Sequence, residues 1–416
     1  MNKPSIALLN PYDQKGGASM GTYRLYKYIN KYTSLRARLL VICAEDTHDS
    51  GISRAPLVLR FLFLCQAALN RLACRFLASH TLPVSFTFFT PLSLPALYLF
   101  LKVSAYSKLY LHSMSSGFTC PISFFFLIRR ASIIKAADDW YLTGGCHYSM
   151  DCQQWKTGCT NCPHMNALGR LVVRANWLVK QFVFSSFKGY LVTPSNWLGS
   201  RYQFTPNRKC LTIYNSSSQN PISTPSPSSP TTRSRRLALG IPVTYLRDQR
   251  KGFLTALPVI VSLLEAYPIR IILCGGDANE YRQLITKSAP KIHHGAEVQS
   301  LGTLRRDGMT KFYSGIDFLL HFALYDNSPN VVTESLAEST PVIVLDRAGS
   351  AEHIKNSGAG VVIQSISELH TVVPVILREP HLIEQYSNSA TTYSQSVLSS
   401  SFMANAYADL FARTPS

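Results

Sequence analysis

The chain has 416 residues, 46% hydrophobic and 15% charged, with 41 Lys and Arg against 23 Asp and Glu for a formal net charge of +18. Such apolar content is ample for two cores, and the length excludes a single ordinary domain. The excess positive charge calls for an anionic partner: a phosphorylated substrate or an anionic membrane surface rather than nucleic acid, because Arg60, Arg71, Arg75, Arg129, Arg130, Arg170 and Arg174 are scattered without an aromatic-interleaved RNA-binding signature.

At the N-terminus, MNKPSIALLNPYD carries too short an apolar run for a signal peptide and no small-residue cleavage site, so the chain is expected to start in the cytosol. Ser5 to Leu9 reads as a short buried strand. It empties through Asn10 to Lys15 into Gly16-Gly17-Ala18 and a helical pattern of Tyr23, Leu25, Tyr26 and Ile29. A glycine turn that opens a helix lets backbone approach a phosphate or sugar without Cβ hindrance. An ordinary βα turn looks the same, and the dinucleotide fingerprint is absent.

Arg38 to Cys43 reads as the next strand, and Ala55 to Phe76 as an amphipathic helix with Arg60, Arg71 and Arg75 at its polar positions. Such a helix can lie on an anionic bilayer or pack on a core with its Arg solvated. From Phe76 to Leu101 no residue is charged, but Pro83, Pro91 and Pro95 interrupt the run; buried strands or an apolar membrane-facing surface fit this better than a transmembrane helix. Leu109 to His112 is a strand end that carries His112 towards a loop, where a lone His is more often structural than catalytic.

The most specific local pattern runs Asp138-Asp139-Trp140-Tyr141-Leu142-Thr143-Gly144-Gly145-Cys146-His147-Tyr148, then Cys152, Trp155, Cys159 and Cys162. In a cytosolic chain disulfides are disfavoured, so a structural zinc held by Cys146, Cys152, Cys159 and Cys162 is one reading, with His147 as a substitute ligand. The spacing C-x5-C-x6-C-x2-C is not a standard zinc spacing, and packed reduced thiols or redox chemistry remain open alternatives.

Phe182 to Val192 leads to Thr193-Pro194-Ser195, a strand end before a capped helix start, and Leu211 to Asn215 is another short strand. Residues 216–236 are dominated by Ser, Thr and Pro and read as a linker. The expected domains are 1–215 with a Cys-rich insert at 146–163, and 237–380, with helices over 381–416 returning to the first domain.

The second half repeats the α/β alternation: a strand region Leu237 to Tyr245, a basic loop Arg247-Asp248-Gln249-Arg250-Lys251-Gly252-Phe253 opening a helix, and a strand Arg270 to Cys274 ending at Gly275-Gly276. Cations at a helix start work against its dipole unless an anion such as a diphosphate lies between them; plain surface charge is the alternative. A short strand at Val298 to Leu301 and a helix Arg305 to Tyr313 follow. Ile316 to Leu324 is the next strand, and it ends in Tyr325-Asp326-Asn327-Ser328-Pro329-Asn330. A helix VVTESLAES and a strand Thr340 to Leu345 complete a strand, loop, helix, strand unit of a parallel sheet. In such a unit ligands sit at the carboxyl end of the strand and at the next helix N-terminus. Asp326 and Glu334 are placed there to accept from sugar or ribose hydroxyls, although an N-cap Asp and a solvated helix Glu share that spacing. A strand Gly360 to Ile363 and helical patterns at Ser367 to Leu377 and Glu384 to Phe411 close the chain.

DNSPNVVTESLAESTPVIV resembles the nucleotide-sugar signature of family-4-type retaining glycosyltransferases of the GT-B class, with Asp326 in the place of the usual first Glu and Glu334 in that of the second. The Asp138 to Tyr148 block resembles a segment of bacterial transferases that build colanic acid, O-antigen and related surface polysaccharides, whose leading His is Ala137 here. The resemblance implies two Rossmann-like α/β domains facing a central cleft. It implies donor contacts from Gly16, Gly17, Arg250, Lys251, Gly275, Asp326, Asn330, Val331 and Glu334, and an acceptor side at His112, Asp138 and Trp140. Arg250 and Lys251 would take the diphosphate, Asp326 the sugar hydroxyls, Glu334 the ribose, and Asp138 an acceptor-side catalytic role.

The activity so implied is transfer of a sugar, with retention, from a nucleotide-diphosphate sugar to a lipid-linked oligosaccharide acceptor at the cytoplasmic face of the inner membrane, with no cofactor required for the chemistry. Rival readings are a catalytically degenerate GT-B binding subunit, suggested by Ala137 and Asp326, and a GT-B epimerase. A phosphorylase would need a cofactor-bearing Lys that the sequence does not single out.

Overall fold

A computed structural model describes residues 5–45, 48–79, 85–112, 114–115, 118–203, 209–217, 236–243, 245–246 and 248–414. The segment expected to link the domains lies mostly outside these residues, as do Ser113 and Arg247. The chain divides into two units, Met1–Tyr214 with Ser401–Ser416, and Asn215–Ser400.

The first unit holds β1 (Ser5–Leu9), α1 (Gly16–Tyr32), β2 (Arg36–Val41), β3 (Ile52–Arg54), α2 (Leu57–Leu77), α3 (Leu94–Val103), β4 (Lys108–His112), α4 (Pro121–Arg130), β5 (Ile133–Lys135), α5 (Ala167–Ser185), β6 (Tyr190–Thr193), α6 (Asn196–Tyr202) and β7 (Lys209–Thr212). Its seven strands run parallel in the order β3-β2-β1-β4-β5-β6-β7. Helices cover both faces, so the central strands read as unbroken apolar runs such as Ile6-Ala7-Leu8-Leu9, all fully buried. Ala7, Leu9, Leu40, Leu111 and Ile134 pack against α2 to α5, whereas Ile6, Leu8, Leu39, Tyr110 and Ile133 pack against α1 and the chain's last helix.

The second unit holds β8 (Ala238–Pro242), α7 (Phe253–Ala266), β9 (Arg270–Cys274), α8 (Ala278–Ser288), β10 (Glu297–Ser300), α9 (Arg306–Ser314), β11 (Phe318–His321), α10 (Asn330–Ala337), β12 (Val342–Leu345), α11 (Glu352–Ser357), β13 (Gly360–Ile363), α12 (Leu369–Arg378) and α13 (His381–Ser396); α14 (Ser400–Arg413) is the helix that lies on the first unit. Its six parallel strands are ordered β10-β9-β8-β11-β12-β13. These are two Rossmann-like sheets, the GT-B fold class.

Several expectations change at this level. The single helical pattern over Glu384 to Phe411 is two helices: α13 packs on α10 within the second unit, and only α14 joins the first. The uncharged run from Phe76 to Leu101 holds the end of α2, a loop with two isolated bridges, Ala78 to Met165 and Phe86 to Cys146, and the start of α3; no strand forms among its described residues, because its prolines remove ladder donors. Helix α5 lies in a stretch for which the sequence gave no helix reading.

Candidate functional site

In the second unit the basic loop and the acidic loop come together. Gln249–Lys251 forms one turn of 3-10 helix, initiated by Asp248, whose carboxylate accepts from the Arg250 amide. Gly252 ends that turn in a left-handed conformation, φ +67°, and a Cβ there would stand 2.2 Å from the Phe322 carbonyl oxygen, so glycine is needed for both backbone angle and close approach. The Leu324 amide donates to the Arg250 carbonyl at 2.7 Å. This stitch lays the loop after β11 beside the loop before α7.

Across it, Lys251 Nζ donates to Asp326 Oδ2 at 2.7 Å, both side chains partly exposed. Arg250 does not reach Asp326 directly: Nε and Nη2 form a fork on Asp248, at 3.1 and 2.6 Å. Burial pushes the Asp326 carboxyl up, but the Lys251 ammonium, with His321 and Arg250, outweighs it and holds the group below its ordinary range. Behind it, burial pushes His321 down to about 4, a neutral ring within 3.3 Å of Ser350 Oγ. The Gly349 amide donates to the Asp326 carbonyl at 2.9 Å and fixes the loop from the other side.

Helix α10 starts at Asn330 without a side-chain cap, with half-buried Val331 next to it. Glu334 lies one turn further along and accepts from Tyr313 Oη at 3.2 Å. Gly275, expected at the donor, ends β9 with φ +119° and engages its amide with the Gly302 carbonyl at 2.7 Å, so it approaches as a turn rather than as a free donor. Asp248, Tyr313, His321 and Ser350 were not singled out in the sequence. Only Asp248 left a signal there, as an N-cap residue in DQRKG.

In the first unit Gly16 and Gly17 form the exposed first turn of α1, where no side chain caps the helix. His112 and Trp140, expected to face the acceptor, are core side chains. His112 is 3% exposed, with Nδ1 2.7 Å from Thr22 Oγ1. Burial, aided by Lys135, pushes His112 down to about 3, so it is neutral. Trp140 is 2% exposed, donates from Nε1 to the Thr87 carbonyl at 2.9 Å, and has Lys180 Nζ 3.5 Å from its ring centroid.

Asp138 remains partly exposed but is tied to His147, Nδ1 to Oδ2 at 2.6 Å, with Thr87 Oγ1 2.8 Å from the other ring nitrogen. Burial pushes the Asp138 carboxyl up, and His147 and the Trp140 amide more than reverse it. Its neighbour Asp139 is fully buried and paired with Arg201, Nε to Oδ1 at 3.0 Å. The glycine pair of this block permits the fold: a Cβ on Gly144 would lie 2.2 Å from the Val173 carbonyl of α5.

Cys146, Cys152, Cys159 and Cys162 are free and line one cavity of about 30 Å³ with Trp155, Phe86 and His164. Cys146 Sγ donates to the Tyr148 carbonyl, and burial pushes Cys159 up to about 11 and Cys162 up as well. Among the described residues no three His, Cys, Asp or Glu side chains are grouped to hold a metal ion. The arrangement therefore does not fit a preformed tetrahedral zinc site.

Residues 241–376 match the family of Glycosyl transferases group 1, a segment that contains Arg250, Lys251, Gly275, Asp326 and Glu334. The fold is of the GT-B class, and its second unit carries a segment similar to this glycosyltransferase family. Among solved structures the chain is similar to Anabaena HepE in complex with UDP and glucose, TM-score 0.65 at 14% identity over 98% of this chain and 99% of that one. It is similar to sucrose-phosphate synthase from Thermosynechococcus elongatus, TM-score 0.65 at 12% identity over 99% of each chain. WaaG, a glycosyltransferase involved in lipopolysaccharide biosynthesis, gives 0.61 at 14% identity over 98% of this chain and all of that one. At such identities the likeness is one of fold. No curated protein matches the sequence.

Proposed function

We propose that the protein transfers a sugar, with retention of anomeric configuration, from a nucleotide diphosphate sugar to a lipid-linked or growing saccharide in surface-polysaccharide synthesis. The observation that carries this reading is the Lys251 to Asp326 contact at 2.7 Å, inside the matched segment and at the carboxyl ends of parallel strands. A donor diphosphate would draw Lys251 towards its oxygens. That exchange releases the Asp326 carboxylate to accept from sugar hydroxyls, so its oxygens keep hydrogen-bond donors when the ammonium moves. Arg250 and the N-terminus of α10 would add positive potential where negative charge builds on the leaving oxygen. Glu334, steadied by Tyr313, would accept from the ribose. The HepE structures hold UDP and UDP-glucose, which makes UDP the first donor base to test. WaaG, named for lipopolysaccharide biosynthesis, supports the choice of a surface-polysaccharide acceptor.

The test is thermal shift against UDP, GDP, CMP and their sugars, followed by turnover with the stabilising donor. One diphosphate should raise the melting point, and Lys251→Ala and Arg250→Ala should remove most of the rise. Tight binding without turnover on any acceptor would instead identify a binding subunit.

A further inference from the structure

The formal charge of this protein is not shared between its units. The first carries 25 Lys and Arg against eight Asp and Glu, whereas the second is nearly balanced, with 16 against 15. No Asp or Glu occurs between Asp49 and Asp138, or between Asp151 and Asp248. Those two stretches contain α2, α3, α4 and α5, which form one continuous layer on a single face of the first sheet.

The outer side of that layer is apolar. Leu57, Phe61, Phe76, Leu101, Leu171 and Phe182 are each between 66% and 76% exposed. Ring contacts run across it from Phe100 to Phe126 at 5.3 Å and from Phe125 to Phe182 at 6.4 Å, so the exposed groups of neighbouring helices adjoin. Exposed cations are interspersed, namely Arg71, Arg75, Lys102, Arg129 and Arg174, and the Arg129 guanidinium lies 5.2 Å from the Phe125 ring centroid. Soluble monomers rarely expose apolar patches of this extent, and an uncompensated cationic rim adds a requirement for anions.

We propose that the outer face of α2 to α5 docks on an anionic lipid surface, the aromatic and leucine side chains entering the acyl boundary and the arginines lying at headgroup depth. Helix α2 is long and apolar enough to cross a bilayer, and only 17% of its apolar window is buried. It is nonetheless fastened lengthwise. Phe63, Asn70, Cys74 and Leu77 form one buried stripe, Asn70 Nδ2 donates to the Phe88 carbonyl at 2.9 Å, and Cys74 Sγ donates to the Phe86 carbonyl. Crossing the bilayer would strip α2 from this stripe and leave those carbonyls buried without donors, so the geometry selects a helix lying in the interface plane.

The inference rests on the first unit alone and does not depend on the donor reading of the second. It is tested with the full chain by co-sedimentation with vesicles of phosphatidylcholine alone or with phosphatidylglycerol, across a salt series. Binding should require phosphatidylglycerol and weaken with salt. The pairs Phe61→Ser with Phe182→Ser, and Arg71→Ser with Arg129→Ser, should each lower partitioning about tenfold. Circular dichroism and nucleotide-diphosphate binding should stay at wild-type values, which separates loss of docking from misfolding and from failure of the donor site. Binding unaffected by either pair, or equal binding to neutral vesicles, overturns the proposal. So does a dimer in size-exclusion chromatography that the same substitutions dissolve while lipid binding persists.

Discussion

At the carboxyl end of the second sheet, Lys251 meets Asp326 with part of both side chains open to solvent, whereas at that of the first, Lys135 and His112 are sealed in. Lys135 donates to the Ile213 carbonyl at 2.9 Å, and burial pushes it down to about 7; His112 is pushed down to about 3. The contrast separates two uses of charge. A partly exposed ion pair can exchange one partner for a ligand ion at little cost, because water and ligand cover the transition. Burial weakens the charge of a base held by a carbonyl, and moving that base leaves a polar group without a partner. The second rim is therefore built for exchange, the first for architecture.

The largest expected effect breaks the first rim. Arg201→Ala leaves the fully buried Asp139 without its cation and should destabilise the first unit by about 3–5 kcal/mol, read by denaturant unfolding, while diphosphate binding by whatever remains folded is unchanged. An equal loss of nucleotide binding in the folded fraction would show that the Asp138 and Asp139 block does more than hold the fold.

Acid comes next. His321 titrates at about 4 in the fold against an ordinary 6.5, so between those values the unfolded chain binds more protons than the native one. Stability is complete above about pH 6.5 and falls as pH drops towards 4, by about 3 kcal/mol over the whole window. His353, also pushed down to about 4 by burial, acts in the same direction in the same unit. Unfolding of His321→Asn against pH should show a shallower slope below 6.5; an unchanged slope would mean that the ring is charged in the native state.

How much of this was legible in the sequence divides along the same line. Ser5–Leu9, Arg270–Cys274 and Gly360–Ile363 read correctly to the residue, since each is a short apolar run bounded by turn residues. Asp326 and Glu334 stood out because strand, loop and helix follow in one short stretch. The meeting of Lys251 with Asp326 was not readable, since the two are 75 residues apart and brought together by the Arg250 to Leu324 backbone stitch. His112 and Trp140 misled as acceptor contacts, because polar residue type says nothing about burial, and their sealing partners, Thr22 and Lys180, lie on distant helices.

A smaller change sharpens the exchange side. Tyr313→Phe removes one hydrogen bond to Glu334 and should weaken nucleotide-diphosphate binding by about 1 kcal/mol, roughly fivefold, with little change in melting temperature. A calorimetric titration giving wild-type affinity would show that Tyr313 does not orient the acid.

The central claim is that Lys251 leaves Asp326 to grip a diphosphate. Calorimetric titration of UDP and GDP into wild type, Lys251→Ala and Asp326→Asn tests it most directly. The account predicts that one nucleotide binds wild type and loses about 2–3 kcal/mol with Lys251→Ala, while Asp326→Asn binds the free diphosphate as well or better but loses preference for its sugar. Wild-type affinity in Lys251→Ala would contradict it.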